Sequence, residues 1–124
     1  YRALGERMLR GEPLSIHGDG HQSRTNTYVT DCVAATIAAI HHTPNGDRFN
    51  IGGGQELTLL EAVRILAKVL DVEPDLVFEP ARHGDQRRTV ADYAKAHATF
   101  GWSPQVDPVE GLQREAAWIR DLVG

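Results

Sequence analysis

Cysteine is nearly absent: Cys32 is the only one in 124 residues. No intramolecular disulfide can therefore form, and the chain suits a reducing, cytoplasmic setting. No apolar run reaches the ~18 residues of a membrane helix, and no secretory leader is visible. Positive charge is also short. Thirteen Lys and Arg face seventeen Asp and Glu, a net charge of -4, which argues against a nucleic-acid binder with its basic face. No Gly-Lys-Ser/Thr and no G-x-S-x-G occurs, and the one H-x-x-x-H, His17 to His21, straddles a glycine turn and not a helix, which removes a P-loop, a hydrolase nucleophile elbow and a helical metal pair. No metal site is expected of the six histidines, because no cysteine supports them. Cys32 reads as a small packing residue.

What is present is ordinary globular composition, 41% hydrophobic and 24% charged, in a length that suits one domain over residues 1–124. The chain starts at Tyr1, apparently inside a helix, which is what a fragment of a longer protein would show. "RALGERMLRG" reads as that helix, with Gly11 as its stop. "PLSIH" and "TNTYV" read as strands around a Gly18-Asp19-Gly20 turn, a hairpin-like arrangement. Asp31 is the expected N-cap of "CVAATIAAIHH", whose Val33, Ile37 and Ile40 share one face. "TPNGD" ends that helix. "RFNI" reads as a strand and "GGGQEL" as a loop. Thr58 and Glu61 have capping-box spacing, and their helix runs to about Leu70 on a stripe of Leu59, Val63, Leu66 and Leu70. "DLVFEP" reads as a strand. "ARHGDQRRTV" is too polar for a core element. Asp92 caps a short helix closed by Gly101, and Asp107-Pro108 opens the last one. The order predicts an α/β class of mixed helices and short strands.

Neither glycine cluster is a dinucleotide loop. The third glycine of G-x-G-x-x-G would fall at Ser23 or at Leu57. Both clusters read as tight turns, so no cofactor is expected on this chain alone. The arginines remain. Arg24 lies in a polar loop near Asp19, and Arg82 lies near Asp85. Guanidinium groups can clamp phosphate oxygens bidentately, with an Asp free to accept from a ribose hydroxyl. The same residues also fit two solvated arginines paired with Asp19 and Asp85, worth ~0–1 kcal/mol each. The residue pattern leaves both readings open.

Four segments in one order are more specific. "GEPLSIHGDGHQSRTNTYVTDCVAATIAAI", "RFNIGGGQELTLLEAVRILA", "PARHGDQRRTVADYAKAHATFGW" and "VEGL" together resemble the extended short-chain dehydrogenase/reductases that act on nucleotide sugars. These are the NAD-dependent epimerases and dehydratases, UDP-glucose 4-epimerase-like enzymes. The likeness spans essentially all of the chain, but a glycine-rich NAD loop and a Tyr-x-x-x-Lys pair are missing: Cys32 follows Tyr28 at the fourth position, and His97 follows Tyr93. The resemblance implies the small C-terminal substrate domain, plus the last elements of an otherwise missing Rossmann domain. It implies substrate-binding residues Arg24 and Arg82 on the diphosphate, Asp85 on the ribose, and Leu14 and Ile16 flanking the base by main-chain and apolar contact. It implies no catalytic residue here. NAD would be bound mainly by the missing N-terminal half, which is itself an expected partner, as are a nucleotide sugar and a second copy in a homodimer. The alternative is a non-catalytic nucleotide-binding or structural module derived from this fold. One departure stands out: Thr25-Asn26 replace the Asp-Phe that many members have after the arginine.

Overall fold

The computed structural model describes residues 1–42 and 46–124. The turn expected at "TPNGD" falls largely on residues 43–45, outside the described residues. Five helices and five short strands follow one another: α1 Arg2–Leu9, β1 Leu14–His17, β2 Ser23–Thr25, α2 Val29–His42, β3 Glu56–Thr58, α3 Leu59–Leu70, β4 Leu76–Glu79, β5 Arg88–Thr89, α4 Ala94–Phe100 and α5 Pro108–Val123. This is the mixed α/β class that the sequence predicts. Among the described residues no helix is long and apolar enough to cross a membrane.

Helix α3 is the centre of the core because its sequence leaves it little choice. The Thr58 hydroxyl accepts from the Glu61 amide while the Glu61 carboxylate accepts from the Thr58 amide. That reciprocal cap satisfies two otherwise orphaned donors and is worth about 1 kcal/mol. Val63, Leu66 and Leu70 then fall on one buried stripe. They pack with Met8 of α1 and with Leu112 and Ala116 of α5. Helix α5 starts where Asp107 accepts from the Val109 amide, with Pro108 in the first turn. A second, smaller cluster joins Ala35 of α2, Ala96 of α4 and Trp102, with Phe49 and Ile51 against it.

The strands depart from expectation in several places. Strands β1 and β2 do not form a hairpin. Strand β1 pairs in parallel with β4, Leu14 opposite Leu76, whereas β2 is the middle of a second sheet, antiparallel to β3 and parallel to β5. The second strand also ends at Thr25, four residues before "TNTYV" does. Tyr28 is drawn into the helix start, where its carbonyl accepts from the Asp31 and Cys32 amides, and its ring lies under the Arg114 guanidinium. Tertiary packing overrides the β-propensity of that run. "RFNI" forms no strand. Among the described residues no strand pairs with it, and Phe49 and Ile51 pack against the small cluster instead. Finally, "ARHGDQRRTV" contains a strand after all, the exposed two-residue β5.

Asp31 is not an N-cap. Helix α2 begins two residues earlier, and Asp31 is 4% exposed. Its carboxylate accepts from the backbone amides of Gln105 and Val106 at 3.0 and 2.9 Å, and its carbonyl accepts from the Trp102 indole at 3.0 Å. One residue thus pins the α4–α5 connection onto α2. Asp92 is not the cap of α4 either: that position is Tyr93, which makes no side-chain cap, and Asp92 stands one residue outside it, accepting from the Ala94 amide.

Candidate functional site

Arg24 is the middle residue of β2, opposite Leu57 of β3 and Thr89 of β5. It is half-buried, and its guanidinium donates to the Ser23 carbonyl at 2.7 Å. Asp19, the carboxylate close to it in sequence, is already taken. Arg87 donates to both Asp19 oxygens at 2.8 Å. Glu56 is taken as well, by Arg88 and by the Ser23 hydroxyl. Among the described residues, neither Arg24 nor Arg82 belongs to an ion pair. The surface pairing of Arg24 with Asp19 and of Arg82 with Asp85 that the sequence allowed is therefore not what forms.

Arg82 and Asp85 share one exposed turn, in which the Asp85 amide donates to the Arg82 carbonyl at 3.2 Å. They line a cavity of about 80 Å³ with His17, Gln22 and Arg87. Tyr1, Asn26, Leu57, Gly111 and Glu115 line a second cavity of about 140 Å³. Both are far smaller than the ~300–1,000 Å³ of a closed small-molecule site. Arg24 lines neither, so the two arginines share neither cavity. Leu14 and Ile16 have side chains 1% and 0% exposed, which leaves their main chain as the part a ligand could reach.

Electrostatics mark the same region. The Asp19 carboxyl is held well below the usual carboxylate range, first by the Arg87 hydrogen bonds and then by the His21 amide. A depressed carboxylate contributes stability that is present above its unfolded pKa and is lost as pH falls through the folded one. The Arg87 clamp should therefore survive pH 4 and release only in stronger acid. Followed by carbon NMR, the Asp19 carboxyl should titrate below the ordinary midpoint of ~3.9, and Arg87→Ala should raise it toward that value, the His21 amide alone remaining to hold it down. An ordinary midpoint in the unmodified chain would rule the clamp out. Near Arg24, burial raises the Tyr1 phenol above its usual value. The hydrogen bond from Asn26 opposes this, Glu115 adds to it and Arg24 opposes it.

The sequence offered no sign of three groups that shape this region: the Arg87–Asp19 clamp, the Asn26–Tyr1 hydrogen bond and the Asp31 anchor. Each joins residues at least 25 positions apart, where neither spacing nor propensity carries a signal. Among the described residues no cluster of three metal-ligating side chains exists. Neither glycine cluster leads straight into a helix, since β2 follows one and β3 the other.

A family model described as GDP-mannose 4,6 dehydratase matches residues 4–115. The UDP-glucose 4-epimerase of Mycolicibacterium smegmatis is 34% identical over 118 residues, 95% of this chain and 38% of the relative. Two solved structures superpose closely. UDP-glucose 4-epimerase from Thermotoga maritima, with UDP-glucose, gives a TM-score of 0.90 at 36% identity over 98% of this chain and 39% of that one. UDP-glucuronic acid 4-epimerase from Bacillus cereus, with UDP-glucuronic acid and NAD, gives 0.87 at 35% identity over 96% and 38%. The chain thus spans under two-fifths of the length of each of these three proteins.

Proposed function

The chain belongs to the GDP-mannose 4,6 dehydratase family of NAD-dependent nucleotide-sugar epimerases and dehydratases, and on that premise we propose that it is the substrate-holding portion of such an enzyme. It binds the nucleoside diphosphate of a nucleotide sugar and orients the hexose for chemistry carried out elsewhere in the protein. The observation that carries this reading is Arg24. Half-buried Arg24, on a central strand, has gained no carboxylate among the described residues, because Arg87 and Arg88 occupy Asp19 and Glu56. A diphosphate oxygen would supply the missing charge-assisted hydrogen bonds. Arg82 supplies the second cation and Asp85 the acceptor for a ribose hydroxyl. The main chain of Leu14 and Ile16 borders the base.

The role of these residues is orientation. Fixing the diphosphate fixes the sugar ring against its reaction partner, which converts binding energy into a shorter search for the reactive geometry. NAD supplies hydride transfer in this reading, and it rests on the part of the enzyme that lies outside this chain. Helix α2 supports that division. Val29, Val33, Ile37 and Ile40 are each more than half exposed along one face, an apolar stripe that the remainder of the enzyme would cover.

Calorimetric titration of the chain with UDP, dTDP, GDP and NAD tests the reading. One nucleoside diphosphate should bind, and NAD should not. Heat from none of the four would instead leave a structural module, and NAD binding on a par with the diphosphates would overturn the division of labour.

A further inference from the structure

Residues 77–90, which carry Arg82 and Asp85, are exposed without exception. Gly84 turns the chain at φ +90°, and no side chain of this stretch belongs to either core cluster. Apolar packing therefore does not decide where Arg82 stands. Polar ties do. The His17 ring lies 3.4 Å from the Pro80 carbonyl. Arg87 clamps Asp19 through both oxygens at 2.8 Å. The Ser23 amide donates to the Arg87 carbonyl at 3.0 Å. At the far end the Ala91 amide donates to the Thr25 hydroxyl at 3.0 Å.

That last tie is boxed in. A Cβ on Gly52 would lie 1.9 Å from the Ala91 Cβ, and one on Gly53 would lie 2.0 Å from the Asn26 carbonyl oxygen. The glycine loop is therefore packed against the residues that flank the Thr25–Ala91 hydrogen bond, and side chains there would force the two segments apart. The Thr-Asn pair after Arg24, unusual beside the pattern that the sequence resembles, thereby gains a use. Thr25 is the acceptor that closes the loop, and Asn26 is seated between Tyr1 and Gly53.

We propose that Asp19 and Thr25 are positioning residues that hold the Arg82–Asp85 arm at a fixed distance from Arg24, so that the two guanidinium groups reach one diphosphate. The inference rests on the reading of Arg24 and Arg82 as diphosphate ligands. Neither Asp19 nor Thr25 touches the substrate. Each limits the arm's excursion, and the core does not depend on either, because local opening of an exposed loop leaves the packed elements intact.

The test is steady-state kinetics of the intact enzyme with its nucleotide sugar, alongside NAD binding and thermal midpoint, for Thr25→Val, Thr25→Ser, Asp19→Asn and Arg24→Ala. Valine keeps the shape of threonine and removes the acceptor, and asparagine removes the charge that a bidentate arginine needs. Thr25→Val and Asp19→Asn should each raise KM about 3- to 10-fold, the loss of one hydrogen-bonded tie. They should leave kcat within about two-fold, since uniform binding alone is affected. NAD binding should stay unchanged, and Thr25→Ser should restore KM. If Arg24→Ala raises KM while Thr25→Val and Asp19→Asn leave it alone, the positioning proposal fails and the diphosphate reading stands. A fall in thermal midpoint that accounts for the KM change, with no rescue by serine, likewise overturns the proposal. If Arg24→Ala leaves KM unchanged, the diphosphate reading falls and takes the proposal with it.

Discussion

Arg24→Ala in the intact enzyme is expected to raise the KM for the nucleotide sugar by about 10- to 100-fold, the equivalent of one charge-assisted hydrogen bond of ~1.5–3 kcal/mol. NAD affinity should not move. The size of the effect follows from where the guanidinium sits. It is half-buried on the middle strand of a sheet, its neighbouring carboxylates belong to Arg87 and Arg88, and its one described hydrogen bond goes to a main-chain carbonyl. Alanine deletes the cation without freeing any acidic group to compensate. Arg24→Lys should recover part of the loss, because an ammonium keeps the charge but not the two-pronged geometry. Substrate affinity that is indifferent to Arg24 would end the assignment.

Asp31→Ala should lower folding stability by about 3 kcal/mol, seen as a lower urea midpoint with an unchanged slope. Two backbone amides, Gln105 and Val106, would lose their acceptor in a part-buried place. Each such orphan costs about 1–3 kcal/mol, offset in part because a buried carboxylate no longer has to be desolvated. Asp31→Asn should cost less, since a single amide oxygen can still accept, as a single carboxylate oxygen does here. A midpoint that does not move would mean that the 105–106 segment is held by something other than Asp31.

The two residues also show how far the sequence could be read. Helix α3 was legible to the residue because Thr58, Glu61 and the Val63–Leu66–Leu70 stripe are all local signals, and the Asp107-Pro108 start of α5 is another. Strand pairing was not. Leu14 meets Leu76 and Ser23 meets Arg88, and such long-range choices depend on which faces the helices have left to cover. Asp31 looked like a cap because caps are acidic residues before apolar runs, and nothing local says that its carboxylate turns outward to another element. At the candidate site, Arg24, Arg82 and Asp85 stood out only through the order of the motifs around them. The ion pairs around them did not. Asp19 lies five positions before Arg24, yet its partner is Arg87, 68 positions away. Proximity along a chain is a weak guide to which ion pair wins once a strand ladder brings distant segments side by side.

That ladder has a consequence for the order in which the molecule assembles. Both sheets wait for the second half of the chain: β1 needs β4, and the β2–β3 pair is completed by β5. Closing a loop of some sixty residues costs entropy before any contact repays it, so such pairings form slowly and late. A polypeptide emerging from its N-terminal end would build α1 and much of α3 while β1 still lacked a neighbour and Arg24 stood on an unfinished sheet. The sheets that position Arg24 are completed only when residues 76–91 arrive and bring β4 to β1 and β5 to β2.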